Sequence, residues 1–425
     1  MPIKDNIDKK PNIIIIVADD LGYGDCSSFG SKTINTPNID AIAESGVRFS
    51  DFHSNGAICS PTRAALLTGR YQQRTGIEGV ISAQNHRDVG LPEDERTFAE
   101  LLKEGGYTTA VFGKWHLGYA SRYNPARRGF DEFVGFVSGN IDYFSHVDQM
   151  GNEDWWQSEK LQPEDGYTTD LVTDHGLRFI DENRDKSFCL YLAHECPHYP
   201  YQGPKDNAYR TIGTGKQVPI NGPREDKEIA YKEMMESMDE GIGKILQSVR
   251  ESGLEENTLI FFFSDNGPSG PGSAGDLRGG KGTLWEGGHR IPAAACWKGV
   301  IPSGLECNTP CMGMDLFPTM MAMAGITTPS DLTIDGVDIM GVMKGEKSNL
   351  GRDLYWRQRK QKAIRSGKWK LVLNGANGEA KELFDLETDL AETNNIIAEH
   401  TQLANTLETK INAWEKEVAK GEMLA

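Results

Sequence analysis

Short apolar segments alternate with longer segments of helical periodicity along most of this 425-residue chain. The first, Asn12 to Val17, has four successive isoleucines, which is typical of a strand buried on both faces of a sheet. Strands that alternate with helices indicate an α/β domain in which helices cover a central sheet. We predict strands at 12–17, 47–52, 108–112, 188–192 and 258–263, and helices at 38–45, 97–104, 170–183, 229–252 and 315–324.

The pattern changes near residue 351. Short segments that favour antiparallel strands follow, and an amphipathic segment at 402–418 predicts a terminal helix. The predicted strands are 354–356, 362–365, 369–373 and 382–385. Since a chain of this length is too long for one small core, we predict a large domain over residues 1–350. A smaller C-terminal α+β domain, built on a short antiparallel sheet, is predicted over residues 351–425.

Composition limits the partners and the compartment. The formal net charge of −17 argues against nucleic-acid binding, which needs a basic face. No segment has the length of a membrane helix or the apolar core of a signal peptide, and residues 1–10 are expected to be a flexible leader. A periplasmic or secreted location is favoured if a signal peptide has been removed, and a cytoplasmic one otherwise. The oligomeric state is left open. The seven cysteines are expected to be mostly free thiols, with Cys307–Cys311 as the favoured bridge.

A cysteine stands at the start of a predicted helix, in the segment C-S-P-T-R-A-A-L-L-T-G-R at 59–70. Ser60 is suited to cap that helix and Pro61 to its first turn. A helix N-terminus carries partial positive charge and free N–H groups, which favour an anion beside Cys59. Arg63 adds a positive charge on the same turn. The segment therefore predicts a nucleophilic side chain next to an anion-binding position.

Carboxylates directly follow two of the predicted strands. Asp19 and Asp20 come after the first apolar strand, and Asp265 and Asn266 come after the most apolar one. Ligands of open α/β sheets bind at such strand ends, and adjacent buried carboxylates need a compensating cation. Four oxygen ligands without histidine or thiolate suit a hard cation, Ca²⁺ in preference to Mg²⁺. We therefore predict a Ca²⁺ site, with room for residue 59 among its ligands.

The segment F-G-K-W-H-L-G at 112–118 follows another predicted strand. Its lysine and histidine, Lys114 and His116, are two residues apart, so an extended backbone would direct both to one side. A lone Lys-x-His is more often a solvated loop. The longer run around this pair favours a site.

Two further basic segments follow. His198 lies in P-H-Y-P before a loop at 201–227 that is rich in proline, glycine and charge, and it is preferred to His194 as a site residue. The segment G-G-K-G-T-L-W-E-G-G at 279–288 carries Lys281, and its glycines allow the backbone to approach a ligand closely. No serine or threonine directly follows that lysine, so the segment is not a nucleotide-binding P-loop.

Together these motifs resemble those of type I sulfatases, in the same order, over roughly residues 12–292. They match three runs of that family: C-x-P-x-R, G-K-W-H-L-G and G-K-G-x-x-x-E-G-G. The resemblance implies an alkaline-phosphatase-like fold, a large mixed sheet sandwiched by helices, with a smaller C-terminal domain. It implies bound Ca²⁺ and a maturation enzyme that oxidises Cys59 to formylglycine. The implied site residues are, for catalysis, Cys59, Arg63, Lys114, His116, His198 and Lys281 and, for the metal, Asp19, Asp20, Cys59, Asp265 and Asn266.

The resemblance also implies a reaction, the hydrolysis of a sulfate ester to an alcohol and inorganic sulfate. A hydrated aldehyde at residue 59 would attack sulfur, and its second hydroxyl would then expel sulfate. His116 is the expected base for that release, and the proton donor to the leaving group is left open between His198 and Lys281. The expected substrate is an aryl sulfate or a sulfated carbohydrate, either a small molecule or an oligosaccharide.

Two other functions and one segment stay open at this point. A phosphatase or phosphonate monoester hydrolase of the same superfamily would handle another tetrahedral oxyanion. A Ca²⁺-dependent glycan-binding protein would lack part of the nucleophilic and basic set, which this sequence retains. The segment at 139–156 either contacts sugar hydroxyls and ring faces or is a structural loop. Its candidate sugar contacts are Asn140, Asp142, Tyr143, His146, Trp155 and Trp156.

Overall fold

The computed structural model describes residues 10–373 and 381–419, so the expected leader is described only at its last residue. Within these ranges the strands are β1 Asn12–Ala18, β2 Val47–Phe49, β3 Phe52–His53, β4 Thr108–Lys114, β5 Glu132–Phe136, β6 Trp156–Gln157, β7 Lys160–Leu161, β8 Phe188–Ala193, β9 Thr258–Ser264, β10 Ala293–Cys296, β11 Leu305–Cys307, β12 Cys311–Met312, β13 Leu354–Gln358, β14 Gln361–Ser366, β15 Trp369–Leu373 and β16 Glu382–Asp385. The helices are α1 Pro37–Glu44, α2 Cys59–Thr68, α3 Gln72–Thr75, α4 Phe98–Glu104, α5 Thr168–Asn183, α6 Lys227–Glu251, α7 Glu286–His289, α8 Leu316–Ala324, α9 Met340–Met343 and α10 Thr401–Val418.

A mixed ten-stranded sheet forms the centre, in the order β11-β2-β10-β9-β1-β8-β4-β5-β6-β7. A separate antiparallel sheet, β13-β14-β15-β16, follows near the C-terminus, and α10 packs against it. The predicted fold class is therefore confirmed. The boundary between the two domains at residue 350 stays a prediction.

The isoleucine run explains how helices come to lie on both faces of the large sheet. Successive side chains of a strand point to opposite faces. Ile13 and Ile15 join the core formed with α2, α4 and α8, and Ile14 and Ile16 join the core formed with α1, α5 and α6. Burying one such side chain contributes about 1.5–3 kcal/mol, so a one-residue slip of β1 would place every side chain in the wrong core.

Parallel pairing brings the ends of four strands to one edge of the sheet. β1 lies between β9 and β8, in registers that align Ala18 with Ser264 and Val17 with Ala193. β4 pairs in parallel with β8, with Gly113 opposite Ala193. The residues that directly follow these strands must therefore lie close together, although they are far apart in the sequence.

The prediction of one strand over 47–52 is wrong in one respect, because this segment forms two strands that belong to two different sheets. β2 belongs to the large sheet, whereas β3 pairs in parallel with β12. Between them the carbonyl of Ser50 accepts from Arg290 Nε at 2.8 Å, and Asp51 Oδ1 lies 2.7 Å from His53 Nε2. These buried polar contacts turn the chain away from the first sheet.

The favoured Cys307–Cys311 bridge is also wrong. All seven cysteines are free thiols. Cys307 ends β11 in the large sheet and Cys311 begins β12 in another, and the two side chains meet as a thiol pair in which the hydrogen bond with Cys311 lowers the pKa of Cys307. The expectation of mostly free thiols is thus confirmed. None of the helices in the described ranges has both the length and the apolarity needed to cross a bilayer.

Candidate active site

Cys59 is the first residue of α2, and every residue of this helix is buried. The predicted cap is wrong: Ile58 is the N-cap residue, and the Ser60 hydroxyl instead accepts from the Ile81 N–H at 3.2 Å. The Cys59 Sγ lies 3.3 Å from Asp19 Oδ1 and 3.4 Å from Lys281 Nζ. Burial and the neighbouring Asp19 raise the pKa of this thiol well above its usual value. The unmodified side chain is therefore a neutral thiol.

Three carboxylates and three cations surround this thiol. Asp19 pairs with Lys114, and Asp20 Oδ1 lies 2.5 Å from Lys281 Nζ. The third pair joins Arg63 Nη2 to Asp265 Oδ2 at 2.9 Å. The formal charges of the three carboxylates and the three cations cancel, so a bound divalent cation would give the cluster a net positive charge.

The donor set also fits a hard metal ion. Asp20 Oδ2 and Asn266 Oδ1 are both buried, and neither has a hydrogen-bond partner. A buried oxygen without a partner is costly unless a cation or a donor meets it. Ligand atoms of Asp19, Asp20, Cys59 and His198 all lie within 4.8 Å of one another. Asp265 lies next to this group, because its Oδ1 accepts from the Asp20 N–H at 3.3 Å.

The pKa values of the clustered carboxyls diverge. Burial raises the pKa of Asp20, but Lys281 and His198 outweigh burial and bring it to about 2. Burial and the negative charge of Asp19 raise the pKa of Asp265 to about 6. Like charges held together in a dry site repel each other, and a divalent cation would relieve that repulsion.

The two predicted histidines both lie at the cluster. His198 Nδ1 donates to the carbonyl of Tyr199 at 2.5 Å, and its Nε2 lies 3.6 Å from Asp20 Oδ2. His116 Nε2 donates to the carbonyl of Ile81 at 3.2 Å, and its buried Nδ1 has no partner. Burial and the nearby Lys114 hold the pKa of His116 well below its usual value.

The backbone around His116 differs from the prediction. β4 ends at Lys114, and His116 has φ 59°, so the two residues do not lie along one extended segment. The left-handed backbone at His116 directs its side chain to the cluster. His194, the competing candidate, is buried, and burial lowers its pKa to about 4.

The glycine-rich segment holds Lys281 through its backbone. The Lys281 N–H donates to the carbonyl of Pro268 at 2.9 Å, and the Gly282 N–H donates to the carbonyl of Ala57 at 2.8 Å. Gly282 has φ 84°, a conformation that favours glycine. A Cβ on Gly288 would lie 1.9 Å from the carbonyl oxygen of Thr283, so no larger residue fits there.

A cavity of about 790 Å³ opens above the cluster, and its lining includes Cys59, His116, His198 and Lys281. The loop at 201–227 contributes to its wall, as predicted, through residues such as Val218. This volume is in the range of pockets that enclose small organic ligands.

The segment at 139–156 is mainly structural. Of the six candidate sugar contacts only Asn140 is part of the cavity lining. The Asp142 carboxylate accepts from backbone N–H groups, including that of Arg210 at 3.0 Å, and Tyr143 donates to the carbonyl of His198 at 3.0 Å. His146 and Trp155 stack on each other, and Trp156 donates to Asp154. Of the two alternatives, the contacts of these five residues favour the structural loop, because the loop uses them to hold its own shape.

Two family models match this chain. The sulfatase model matches residues 11–326, and the model of the C-terminal part of N-sulphoglucosamine sulphohydrolase matches residues 280–417. The chain belongs to the sulfatase family. The expectation of an enzyme that hydrolyses sulfate esters is confirmed, and the phosphatase alternative is not favoured.

Named relatives and solved structures agree. This sulfatase is 33% identical to N-acetylgalactosamine-6-sulfatase of Mus musculus over 425 residues, which covers 93% of this chain and 78% of the relative. It is 33% identical to arylsulfatase A of Bos taurus, over 85% of this chain and 74% of the relative. The crystal structure of Ps i-CgsB is similar with a TM-score of 0.88 and 32% identity, and the match covers 98% of this chain and 94% of that one.

Three further residues of this sulfatase, which the sequence analysis did not single out, hold the glycine-rich segment in place. Glu286 begins α7 directly after the glycine-rich segment, and Lys370 Nζ lies 2.8 Å from its Oε1. Lys370 Nζ is also 2.8 Å from Glu392 Oε1, and Glu392 Oε2 accepts from the Glu286 N–H at 2.6 Å. All three residues are fully buried. The C-terminal sheet thereby supports the segment that carries Lys281.

Replacing Lys370 by methionine is expected to destabilise this sulfatase by about 3–5 kcal/mol, because it leaves Glu392 buried without its cation and leaves Glu286 with Arg290 alone. Chemical denaturation measures the change. Lys381→Met is the matched control, since its ion pair with Glu408 is largely exposed and contributes little. If the two variants unfold at the same denaturant concentration, the buried contacts of Lys370 with Glu286 and Glu392 do not stabilise the fold.

Proposed function

We propose that this sulfatase hydrolyses sulfate esters of carbohydrates through a formylglycine at position 59 and a bound Ca²⁺. The observation that carries the proposal is the position of Cys59. Its Sγ lies at the floor of the cavity, within 3.9 Å of Asp20 Oδ1 and 3.4 Å of Lys281 Nζ. Nucleophile, acidic ligands and basic groups therefore meet where a substrate can enter.

The proposed metal ligands are Asp19, Asp20, residue 59, Asp265 and Asn266. Their oxygen atoms favour Ca²⁺, which accepts six to eight oxygens, over Mg²⁺, which demands a stricter octahedron. When bound, the ion supplies positive charge that polarises a sulfate oxygen. The partnerless oxygens of Asp20 and Asn266 support its presence.

Residue 59 is proposed to act as the oxidised aldehyde. The hydrated aldehyde supplies a hydroxyl nucleophile for sulfur and a second hydroxyl through which sulfate leaves. A serine or an unmodified cysteine has no second hydroxyl and would stall as a stable ester. A formylglycine-generating maturation enzyme is therefore a required partner.

The remaining side chains are proposed to manage charge and protons. Arg63 and Lys114, both buried beside the acidic cluster, hold the nucleophile and the sulfate oxygens and offset negative charge. His116, with its partnerless Nδ1, is the proposed base. His198 and Lys281 are the two proposed proton donors to the leaving alcohol.

The proposed substrate class is the sulfated saccharide. The cavity is large enough for sugar rings, and much of its lining is polar. Two similar proteins point the same way: one relative is an N-acetylgalactosamine-6-sulfatase, and Ps i-CgsB, 32% identical, has also been solved in complex with k-i-k-neocarrahexaose. An aryl sulfate would serve as a minimal substrate, since it carries the same ester without the sugar.

Turnover of 4-nitrophenyl sulfate against 4-nitrophenyl phosphate tests the proposed reaction. The kcat/KM for the sulfate ester is expected to be at least roughly tenfold higher than that for the phosphate ester. The two tetrahedral esters differ in charge, and the proposed site fits the sulfate. Release of inorganic sulfate from a panel of sulfated mono- and oligosaccharides then tests the substrate class. Faster turnover of the phosphate ester would contradict the proposal.

A further inference from the structure

The wall of the cavity carries an unusual distribution of charge. In a chain with a formal net charge of −17, none of the described residues that line the cavity is an aspartate or a glutamate. The lysines of the lining are Lys281, at the catalytic cluster, and Lys216, on the loop at 201–227. Because Lys281 is already paired with Asp20, Lys216 is the lysine of this lining that lies outside the catalytic cluster, and a wall without carboxylates favours an anionic group beside it.

The backbone at Lys216 is held in place. The Gly213 N–H donates to the carbonyl of Gly151 at 2.8 Å, and the Gln217 N–H donates to the carbonyl of Thr214 at 2.8 Å. Gly215 is buried so closely that a Cβ there would lie 2.2 Å from the Gly151 nitrogen. The turn that carries Lys216 is therefore fixed against the turn at 148–151.

The side chain of Lys216 is exposed, and within the described ranges it has neither a hydrogen bond nor an ion pair. The nearest acidic residue of the facing turn, Asp148, is buried, and its Oδ1 accepts from the Met150 N–H at 2.7 Å and the Asn152 N–H at 2.9 Å. The Asp148 carboxylate is thus held by its own turn, and its Oδ2 lies 3.6 Å from Arg87 Nη2, so Lys216 has no acidic partner among the residues that the structure describes.

We propose that Lys216 binds a second anionic group of the saccharide, either another sulfate or a uronate carboxylate. The inference rests on the proposed function, since it assumes that a sulfated saccharide enters this cavity. The preferred substrate then carries at least two negative groups. One is the ester at residue 59, and the other lies farther along the same cavity.

Calorimetric titration of the full chain with paired disaccharides tests the proposal, using protein produced without the formylglycine-generating enzyme so that the ester is not hydrolysed during the titration. The members of each pair share one sulfate, and one member has in addition a second sulfate or, in the other arm, a uronate carboxylate. In one of the two arms, either the second sulfate or the uronate, wild type is expected to bind the doubly charged disaccharide roughly five- to tenfold more tightly than the singly charged one. Added salt should weaken this preference. Lys216→Met should abolish the preference, and Lys216→Arg should retain it.

Lys205→Met is the matched control. Lys205 is an exposed lysine of the same loop that does not line the cavity, so its variant should keep both the preference and the turnover of 4-nitrophenyl sulfate. Absence of any preference in wild type, or its survival in Lys216→Met, overturns the proposal. Failure of wild type to hydrolyse 4-nitrophenyl sulfate would instead contradict the proposed function, because the titration does not depend on turnover.

Discussion

Replacing Cys59 by serine is expected to lower the turnover of an aryl sulfate by at least about a thousandfold, as the loss of a catalytic nucleophile does in other hydrolases. Serine is close to cysteine in size and, when the maturation enzyme acts on cysteine alone, stays an alcohol with a single hydroxyl. It can be sulfated once and cannot expel the sulfate. Steady-state and single-turnover kinetics on 4-nitrophenyl sulfate measure the loss and reveal whether a sulfated protein accumulates.

Cys296→Ser supplies the control for this variant. Cys296 is a half-buried thiol at the end of β10, outside the cavity lining, so its replacement should leave turnover nearly unchanged. The melting temperature of Cys59→Ser should stay close to that of wild type, because both side chains are small and polar. Turnover in Cys59→Ser within tenfold of wild type would rule out the proposed nucleophile.

Removal of the metal is expected to abolish turnover and lower the melting temperature together. The carboxylates and cations of the cluster are balanced in number, so the proposed ion would supply the net positive charge that the substrate meets. A ligand present at a hundred times its Kd stabilises the folded state by about 2.7 kcal/mol. Exhaustive chelation, checked by metal analysis, should remove both effects, and Ca²⁺ should restore them better than Mg²⁺.

Asn266→Ala tests the same site without changing a formal charge. Its Oδ1 is one of the two buried oxygens without a partner, so the variant should weaken Ca²⁺ binding by roughly tenfold or more. Thermal unfolding at a series of Ca²⁺ concentrations measures that shift. If fully chelated wild type keeps its turnover and its melting temperature, the metal assignment is wrong.

The fold and the core of the candidate site were predictable because both follow from local patterns. Apolar runs such as 12–17 mark buried strands, and parallel strands end at one edge of a sheet. The side chains that follow those strands lie together, since Asn266 Nδ2 donates to Asp20 Oδ1 at 2.7 Å and Asp265 pairs with Arg63. Strand alternation and strand-end carboxylates are features of single short segments, which a sequence displays directly.

What the sequence could not provide depends on contacts between distant segments. Lys370 and Glu286 are 84 residues apart, and neither has a local signal that pairs it with the other. The aromatic residues near Trp155 have the composition of a sugar-binding loop, but they stack on neighbours inside the loop. Lys216 is one exposed lysine among many until the cavity around it is known.

The mass of the peptide that contains residue 59 tests most directly whether this residue acts as a formylglycine. Protein produced with and without a formylglycine-generating enzyme should contain different fractions of aldehyde at this position. We expect the turnover of 4-nitrophenyl sulfate per molecule to rise in proportion to that fraction and to extrapolate to nearly zero when only the thiol is present. Full turnover in protein whose residue 59 is entirely cysteine would contradict this expectation.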